Sequence, residues 1–197
     1  GGLPVKALPR RQKYHDLIQL YQSVGLLYEE EDEGGITCVR VTKLGRAVLR
    51  WLETLNEYNL HVIGSHLAAA LAVCQLSNPT QEGRKYRDSV KVFPFAFIWR
   101  AMLSLGGRIS AEELNRVIFR VTDEDSLDDA IRRIATAREK NASSVLGRRV
   151  EKDEERIIQW MSMASFGWIL LKHEHDPEGN IFFEVRGKAL GSLKAAL

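Results

Sequence analysis

The chain carries the same spacing of two glycines twice, and this repetition limits the folds that it can adopt. Gly25 and Gly45 are twenty residues apart, as are Gly167 and Gly187. Each first glycine follows an amphipathic helical segment, which it can end because glycine enters the left-handed region without strain. An apolar strand, a charged turn and a second strand come next, and each second glycine lies at the start of another helix. Two copies of one helix–hairpin–helix unit are therefore predicted.

The first copy begins with a helix predicted over residues 14–24. Its inward-facing residues have helical spacing and are Tyr14, Leu17, Ile18, Tyr21 and Val24. A strand at 26–27 leads into an acidic turn over 29–35, and the return strand contains Val39 and Val41. Thr42 then supplies a side-chain oxygen that is expected to cap a helix beginning near Leu44.

Three further helix starts precede or form part of the second copy. Pro94 suits the first turn of a helix that two glycines end. Ser110 with Glu113, and Ser126 with Asp129, have the spacing of capping boxes and predict two more helices. The repeated unit follows, with a helix over about 151–166, strands near 168–171 and 181–185, and a charged turn at 173–180.

Together these elements predict a mainly α fold with small β-hairpins, of the α+β class, in three parts. Residues 1–58 form the first module, residues 59–91 a connecting helix and linker, and residues 92–197 the second module. The chain begins Gly-Gly, and only about ten residues precede the first helix. We therefore expect the first module to be truncated at its amino end and the chain to be a fragment of a larger protein.

Composition adds limits on location and partners. With 45% hydrophobic residues, 27% charged residues and a net charge of +2, the charge alone does not identify a nucleic-acid-binding protein. No apolar run approaches the roughly 18 residues of a membrane span, so no membrane contact is expected. Cys38 and Cys74 are too few for a disulfide or metal framework. They are expected to be buried free thiols in the cytoplasm or another reducing intracellular compartment.

Basic and amide side chains on the exposed faces of the repeated helices are the candidate DNA-binding residues. An α-helix fits the major groove, where arginine, lysine and glutamine can hydrogen-bond to base edges. Cations beside a helix start can reach phosphates, because the positive end of the helix dipole attracts anions. The candidates are Arg10, Arg11, Lys13 and Gln19 in the first copy, Arg148, Arg149, Lys152, Arg156 and Gln159 in the second, and Lys43, Arg46 and Lys188 at the starts of the last helices. The alternative for each is an ordinary solvated helix face.

Other charged and histidine-containing segments do not support a site. The acidic run 29–33 would repel a phosphate backbone, so the first hairpin is expected to face solvent or a protein partner. His173 and His175 stand in a turn without converging metal ligands, and His61 and His66 are not at i, i+4 spacing. We identify no catalytic set, and we expect no metal and no cofactor. Whether the protein is an enzyme stays open, and any nuclease activity would lie in another domain.

The segment Val41-Thr42-Lys43-Leu44-Gly45-Arg46-Ala47 resembles the join between the strand and the last helix in the winged-helix superfamily. The order of the predicted elements resembles the DNA-recognition region of FokI-like and AlwI-like type IIS restriction endonucleases. In that family, consecutive winged helices read the site and a separate domain cuts. The resemblance therefore implies tandem winged-helix modules that bind double-stranded DNA and do not themselves cut it.

Three functions are left open by these observations. The first is recognition of double-stranded DNA within a restriction or defence-related protein, which the basic segment near Arg148 favours. The second is a protein–protein interaction module of a larger complex, which the near-neutral charge and the acidic first hairpin favour. The third is a transcriptional regulator, which would also bind DNA.

Overall fold

A computed structural model describes residues 3–4, 18, 21–22, 24–54, 60–74, 91–150, 154–166 and 168–197. Over these residues the fold is mainly helical, with seven α-helices and two three-stranded antiparallel sheets, which confirms the predicted α+β class. The chain divides into two compact units. The first consists of Gly1–Ile63 and Asn78–Arg84, and the second consists of Gly64–Ser77 and Lys85–Leu197.

The first unit contains one sheet and the helix that follows it. Its elements are β1 (Leu3–Pro4), β2 (Leu27–Glu31), β3 (Thr37–Val41) and α1 (Lys43–Glu53). The strand order is β1–β3–β2. In the hairpin, Leu27 is opposite Val41. The buried apolar residues of this unit include Leu26, Cys38 and Val48.

The turn of the first hairpin is shorter than the acidic run suggested. Residues 29–31 belong to β2 and have exposed side chains, and the turn begins only at Asp32. One carboxylate oxygen of Asp32 accepts hydrogen bonds from the amides of Gly34 and Ile36, both at 2.9 Å. The predicted start of the turn at residue 29 is therefore wrong, because the turn amides use the Asp32 side chain as their acceptor.

Thr42 connects the end of the leading helix to the start of α1, as the cap prediction requires. Its hydroxyl donates to the carbonyl of Gly25 at 2.7 Å and accepts from the amide of Gly45 at 2.9 Å. Gly25 has a φ of +72°, the left-handed conformation expected of a glycine that ends a helix. Of the helix predicted over 14–24, only residues 18, 21, 22 and 24 are described, and the first three of these are helical.

The second unit contains the remaining elements. In chain order they are α2 (Leu60–Ala72, within this unit from Gly64 onward), α3 (Pro94–Ser104), β4 (Arg108–Ser110), α4 (Ala111–Arg116), α5 (Leu127–Glu139), α6 (Glu154–Ala164), β5 (Leu171–His175), β6 (Ile181–Val185) and α7 (Leu190–Ala196). Short 3₁₀ turns lie at Ile118–Arg120, Glu124–Ser126, Ser143–Leu146 and Gly187–Ala189. The strand order of the sheet is β4–β6–β5.

The core of the second unit joins α3 to α4, α6 and the sheet. Trp99, Leu114, Met161 and Phe183 are among its fully buried large side chains. The indole N–H of Trp99 donates to the carbonyl of Ala164 at 3.0 Å, which satisfies its only polar atom and connects α3 to α6. Helix α6 is thereby held with one face against the core.

All three predicted helix starts in this unit are confirmed, but only one of the two predicted capping boxes forms. Pro94 is the first residue of α3. The Ser110 hydroxyl accepts from the amide of Glu113 at 3.1 Å, while the Glu113 carboxylate accepts from the amide of Ser110 at 2.8 Å. Ser126 directly precedes α5 but makes no such bond, because its φ and ψ of −84° and 4° are not those of the extended backbone that a capping side chain requires.

Strand β4 was not predicted from the sequence. It follows Gly106 and Gly107, which have φ values of +83° and +85° and so turn the chain back after α3. The carbonyl of Gly107 accepts a hydrogen bond from the amide of Val185 at 2.9 Å, next to Arg108 and Glu184, which are paired in the sheet. A strand of only three residues is too short to show an alternating pattern in the sequence.

Strand β5 begins three residues later than expected. Residues 168–170 form a turn instead of a strand, because the amide of Trp168 is held by the Ser165 hydroxyl at 2.7 Å and that of Leu170 by the Ser165 carbonyl at 3.0 Å. His173 and His175 consequently lie in β5 and not in the turn where they were predicted.

The two hairpins share one register and one type of turn. Leu171 is opposite Val185 as Leu27 is opposite Val41, so the hairpins correspond at an offset of 144 residues. The carboxylate of Asp176 accepts from the amides two and four residues ahead at 3.0 and 2.7 Å, which is also the pattern at Asp32. The two turns thus share their backbone pattern, the aspartate that accepts its hydrogen bonds and a glycine with positive φ three residues later.

The predicted pairing of the glycines at an offset of 142 residues is wrong by two positions. At the offset of the hairpins, Arg186 stands in the place of Thr42, and its Nε donates to the carbonyl of Trp168 at 3.0 Å. Gly187 begins a 3₁₀ turn, whereas Gly45 lies inside α1.

Both cysteines are free and buried, as predicted. Burial raises the pKa of the Cys74 thiol to about 11. Of the predicted connection over 59–91, the structure describes residues 60–74 and Lys91, and the hydroxyl of Ser65 in α2 lies 2.9 Å from that of Ser192 in α7.

Candidate functional site

The solvent-facing side of α6 carries two of the predicted DNA-binding residues. Ile157 and Met161 are buried against the core, while Arg156 and Gln159 are exposed. This division follows from the helical period, which places residues three and four apart on one side. The third candidate in this helix region, Lys152, lies outside the described residues. Acidic side chains occupy the first turn of α6, where they favour the helix but oppose a phosphate.

Arg148 and Arg149 are both exposed, but their surroundings differ. Arg149 donates from Nε to the carboxylate of Glu112 at 3.0 Å, and its Nη1 lies 3.9 Å from Glu154. Arg148 has no carboxylate within 4.0 Å in the part of the chain that the structure describes. Among the described residues, the charge of Arg149 is therefore partly neutralised by carboxylates and that of Arg148 is not.

Three arginines that the sequence did not single out surround the same loop. Arg116 at the end of α4, Arg120 in a 3₁₀ turn and Arg133 in α5 each donate to a backbone carbonyl of the loop that leads to α6. The acceptors are the carbonyls of Gly147, Arg148 and Val145, respectively. The donors and acceptors are 12 to 31 residues apart in sequence, so no local pattern could have indicated the cluster.

We call Arg116, Arg120, Arg133, Arg148 and Arg149 the arginine cluster. Gly147 lies at its centre with a φ of +86°, a conformation that favours glycine. A side-chain Cβ on Gly147 would lie 2.5 Å from Nη2 of Arg133 and 3.9 Å from Nη1 of Arg120. The absent side chain therefore allows two guanidinium groups to approach the same backbone position.

The candidates at the other helix starts are dispersed. In the first unit, Lys43 and Arg46 are exposed in the first turn of α1, and Nη1 of Arg46 donates to the carbonyl of Val41 at 2.7 Å. In the second unit, Lys188 is exposed in the 3₁₀ turn before α7. The candidates Arg10, Arg11, Lys13 and Gln19 all fall in parts of the chain that the structure does not describe.

The second hairpin carries a lysine paired with two glutamates and a histidine stacked on aromatic rings. Nζ of Lys172 lies 2.7 Å from Glu174 and 2.9 Å from Glu184, and these hydrogen bonds raise the pKa of Lys172. The bond to Lys172 also lowers the pKa of Glu174. His173 stacks on Trp168 and Phe183 with ring centroids 5.4 and 5.6 Å apart. Burial, and secondarily the neighbouring His175, lowers the pKa of His173.

An apolar cavity of about 250 Å³ lies beside α6. Its walls include Phe97, Ile118 and Trp160, together with Arg156 at the same face. Within the described ranges, no three histidine, cysteine or acidic side chains converge as metal ligands would. No helix in those ranges is both long and apolar enough to cross a bilayer.

Searches with the whole sequence found no matching protein family and no matching curated protein. In the second unit, α6 exposes polar side chains beside the arginine cluster, whose Arg149 lies 3.9 Å from Glu154 in the first turn of that helix.

Proposed function

We propose that the chain binds double-stranded DNA through two winged-helix modules, as the recognition part of a restriction or defence-related protein. The order α3, β4, α4, α5, α6, β5 and β6 supports this proposal, because α6 comes after other helices and directly before a hairpin, as a recognition helix would. The common register and turn of the two hairpins support the presence of a second module of the same type.

The observation that carries the proposal is the exposed face of α6. Arg156 and Gln159 project from a helix whose opposite face is fixed by Ile157, Met161 and the rest of the core. Arginine and glutamine are side chains that form bidentate hydrogen bonds with guanine and adenine in the major groove. A helix held on a rigid core presents such groups with little loss of entropy on binding.

The first test is to measure binding of the full chain to a random pool of DNA duplexes by fluorescence anisotropy. With about five phosphate contacts, the logarithm of the affinity should fall against the logarithm of salt with a slope of about −4 to −5. R156A and Q159A should reduce discrimination between selected and random sequences by about 1–3 kcal/mol for each lost base contact. R132A removes an exposed charge on α5 and serves as the control, because Arg132 pairs with Asp129. Unchanged discrimination in both α6 variants would exclude α6 as the reading helix.

A protein–protein interaction module is the second candidate, and the first hairpin favours it. The three glutamates of β2 are exposed, and only Glu30 has an ion-pair partner among the described residues, Nε of Arg40 at 2.5 Å. Such a strand repels a phosphate backbone and suits a basic protein surface. Absence of binding to the duplex pool at low salt would favour this candidate over DNA recognition.

A further inference from the structure

Within the described residues, two carboxylates lie within ion-pair distance of the five arginines of the arginine cluster. Among the described residues, Glu112 pairs with Arg116 and Arg149, and Glu154 lies 3.9 Å from Arg149. Arg120, Arg133 and Arg148 have no carboxylate within ion-pair distance in those same ranges. Among the described residues, the guanidinium groups of Arg120 and Arg133 therefore lie together at Gly147, next to Arg148 in the chain, without a carboxylate paired to any of the three arginines.

Backbone hydrogen bonds hold two of these guanidinium groups in place. Arg133 donates from Nε to the carbonyl of Val145 at 2.9 Å, and Arg120 donates from Nη1 to the carbonyl of Arg148 at 3.3 Å. An arginine has five N–H donors in a planar fork, so each group can still donate to a ligand. Because the fork is already oriented, less entropy is lost when an oxyanion binds.

We propose that Arg120, Arg133 and Arg148 bind a phosphate of the DNA backbone, independently of base sequence, next to the reading helix. A phosphate has the charge and the oxygen geometry that arginine forks match, and it would relieve the repulsion between the gathered cations. This proposal rests on the proposed function, but it assigns the sequence-independent part of the affinity for DNA to the loop and α5. Helix α6 then supplies the contacts to the bases. The role of α5 is then to carry a phosphate contact that positions α6.

The test compares R133Q and R120Q with R132Q in the full chain. Arg132 is adjacent to Arg133 on α5 but pairs with Asp129, so R132Q removes the same charge without touching the loop. At 0.1 M salt, one counterion release contributes about eightfold to affinity, so R133Q and R120Q should each weaken binding by about that factor for every duplex sequence. Because both arginines would bind the same phosphate, the salt slope should become less negative by up to about 0.9 in either variant, and by no more than that when the two are combined. R133K, which keeps the charge, should retain most of the slope.

The phosphate site and the proposed function can fail separately. The result that excludes the site depends on whether the wild-type chain binds duplex. If R133Q and R120Q weaken duplex binding no more than R132Q does, DNA recognition stands but this site is excluded. If the wild-type chain binds no duplex, the proposed function fails, and titration with inorganic sulfate then tests the cluster alone. Greater thermal stabilisation of the wild type than of R133Q by sulfate would support an oxyanion site, and equal stabilisation would exclude it. Melting of each variant without ligand identifies any loss of folding from the broken bond to Val145.

Discussion

Replacement of Gly45 by alanine should destabilise the first unit even though alanine favours a helix. Alanine gains about 1 kcal/mol of helix propensity over glycine. Its Cβ would, however, lie 2.3 Å from the carbonyl oxygen of Leu26 and 2.7 Å from Cγ1 of Val41. The Leu26 carbonyl cannot move freely, because it accepts a hydrogen bond from the amide of Thr42 at 3.0 Å.

The size of this effect follows from the competing contributions. Overpacking costs about 1–3 kcal/mol, and weakening the bond to Leu26 adds about 0.5–1.5 kcal/mol. After the gain in helix propensity is subtracted, G45A should lower the free energy of unfolding by about 0.5–3.5 kcal/mol. G187A is the control, since a Cβ on Gly187 would meet nothing within 4 Å and its backbone is not left-handed. That variant should be neutral or more stable by up to about 1 kcal/mol.

Hydrogen exchange of the amides in α1 is the appropriate assay, because two compact units need not unfold together and a single melting temperature would mix them. In G45A, those α1 amides that exchange through opening of the first unit should exchange about 2- to 400-fold faster. Exchange at or below the wild-type rate would refute the steric argument. The effect of G187A is read from the amides of α7 in its own unit. An equal change at α1 in G45A and at α7 in G187A would show that the close contact with Leu26 has no energetic effect.

Two further changes test the remaining contacts. T42A removes the acceptor for the amide of Gly45 and the donor to the carbonyl of Gly25, so it should lower the stability of α1 by about 1–2 kcal/mol. T42S, which keeps the hydroxyl, should retain most of this stability in the same exchange measurement. Burial and the neighbouring His175 lower the pKa of His173 in the folded chain, so the unfolded state binds the proton more readily. Stability should therefore decrease as pH falls below about 6.5, and urea unfolding at pH 5 and 7.5 should show a smaller decrease for H173Q.

Helix starts with local signals were predictable from the sequence. Pro94, Ser110 with Glu113, and Thr42 all act on backbone groups within a few residues, so their patterns are visible in the chain itself. The apolar period also placed Ile157 and Met161 inward and Arg156 and Gln159 outward on α6. These are properties that a helix has before it packs against anything.

Register and charge clustering required the tertiary structure. The glycines correspond at an offset of 142 residues and the hairpins at 144, and this difference arises from the turn around Ser165. The spacing of apolar residues could not show that the hydroxyl and carbonyl of Ser165 accept the hydrogen bonds of this turn. The arginine cluster forms because α4, α5 and a 3₁₀ turn meet at Gly147. Sequence alone determined which segments are helical and which faces they bury, since those depend on neighbours within one or two turns. Only the packing of distant segments decided which charges lie together, because that proximity depends on contacts between residues remote in the chain.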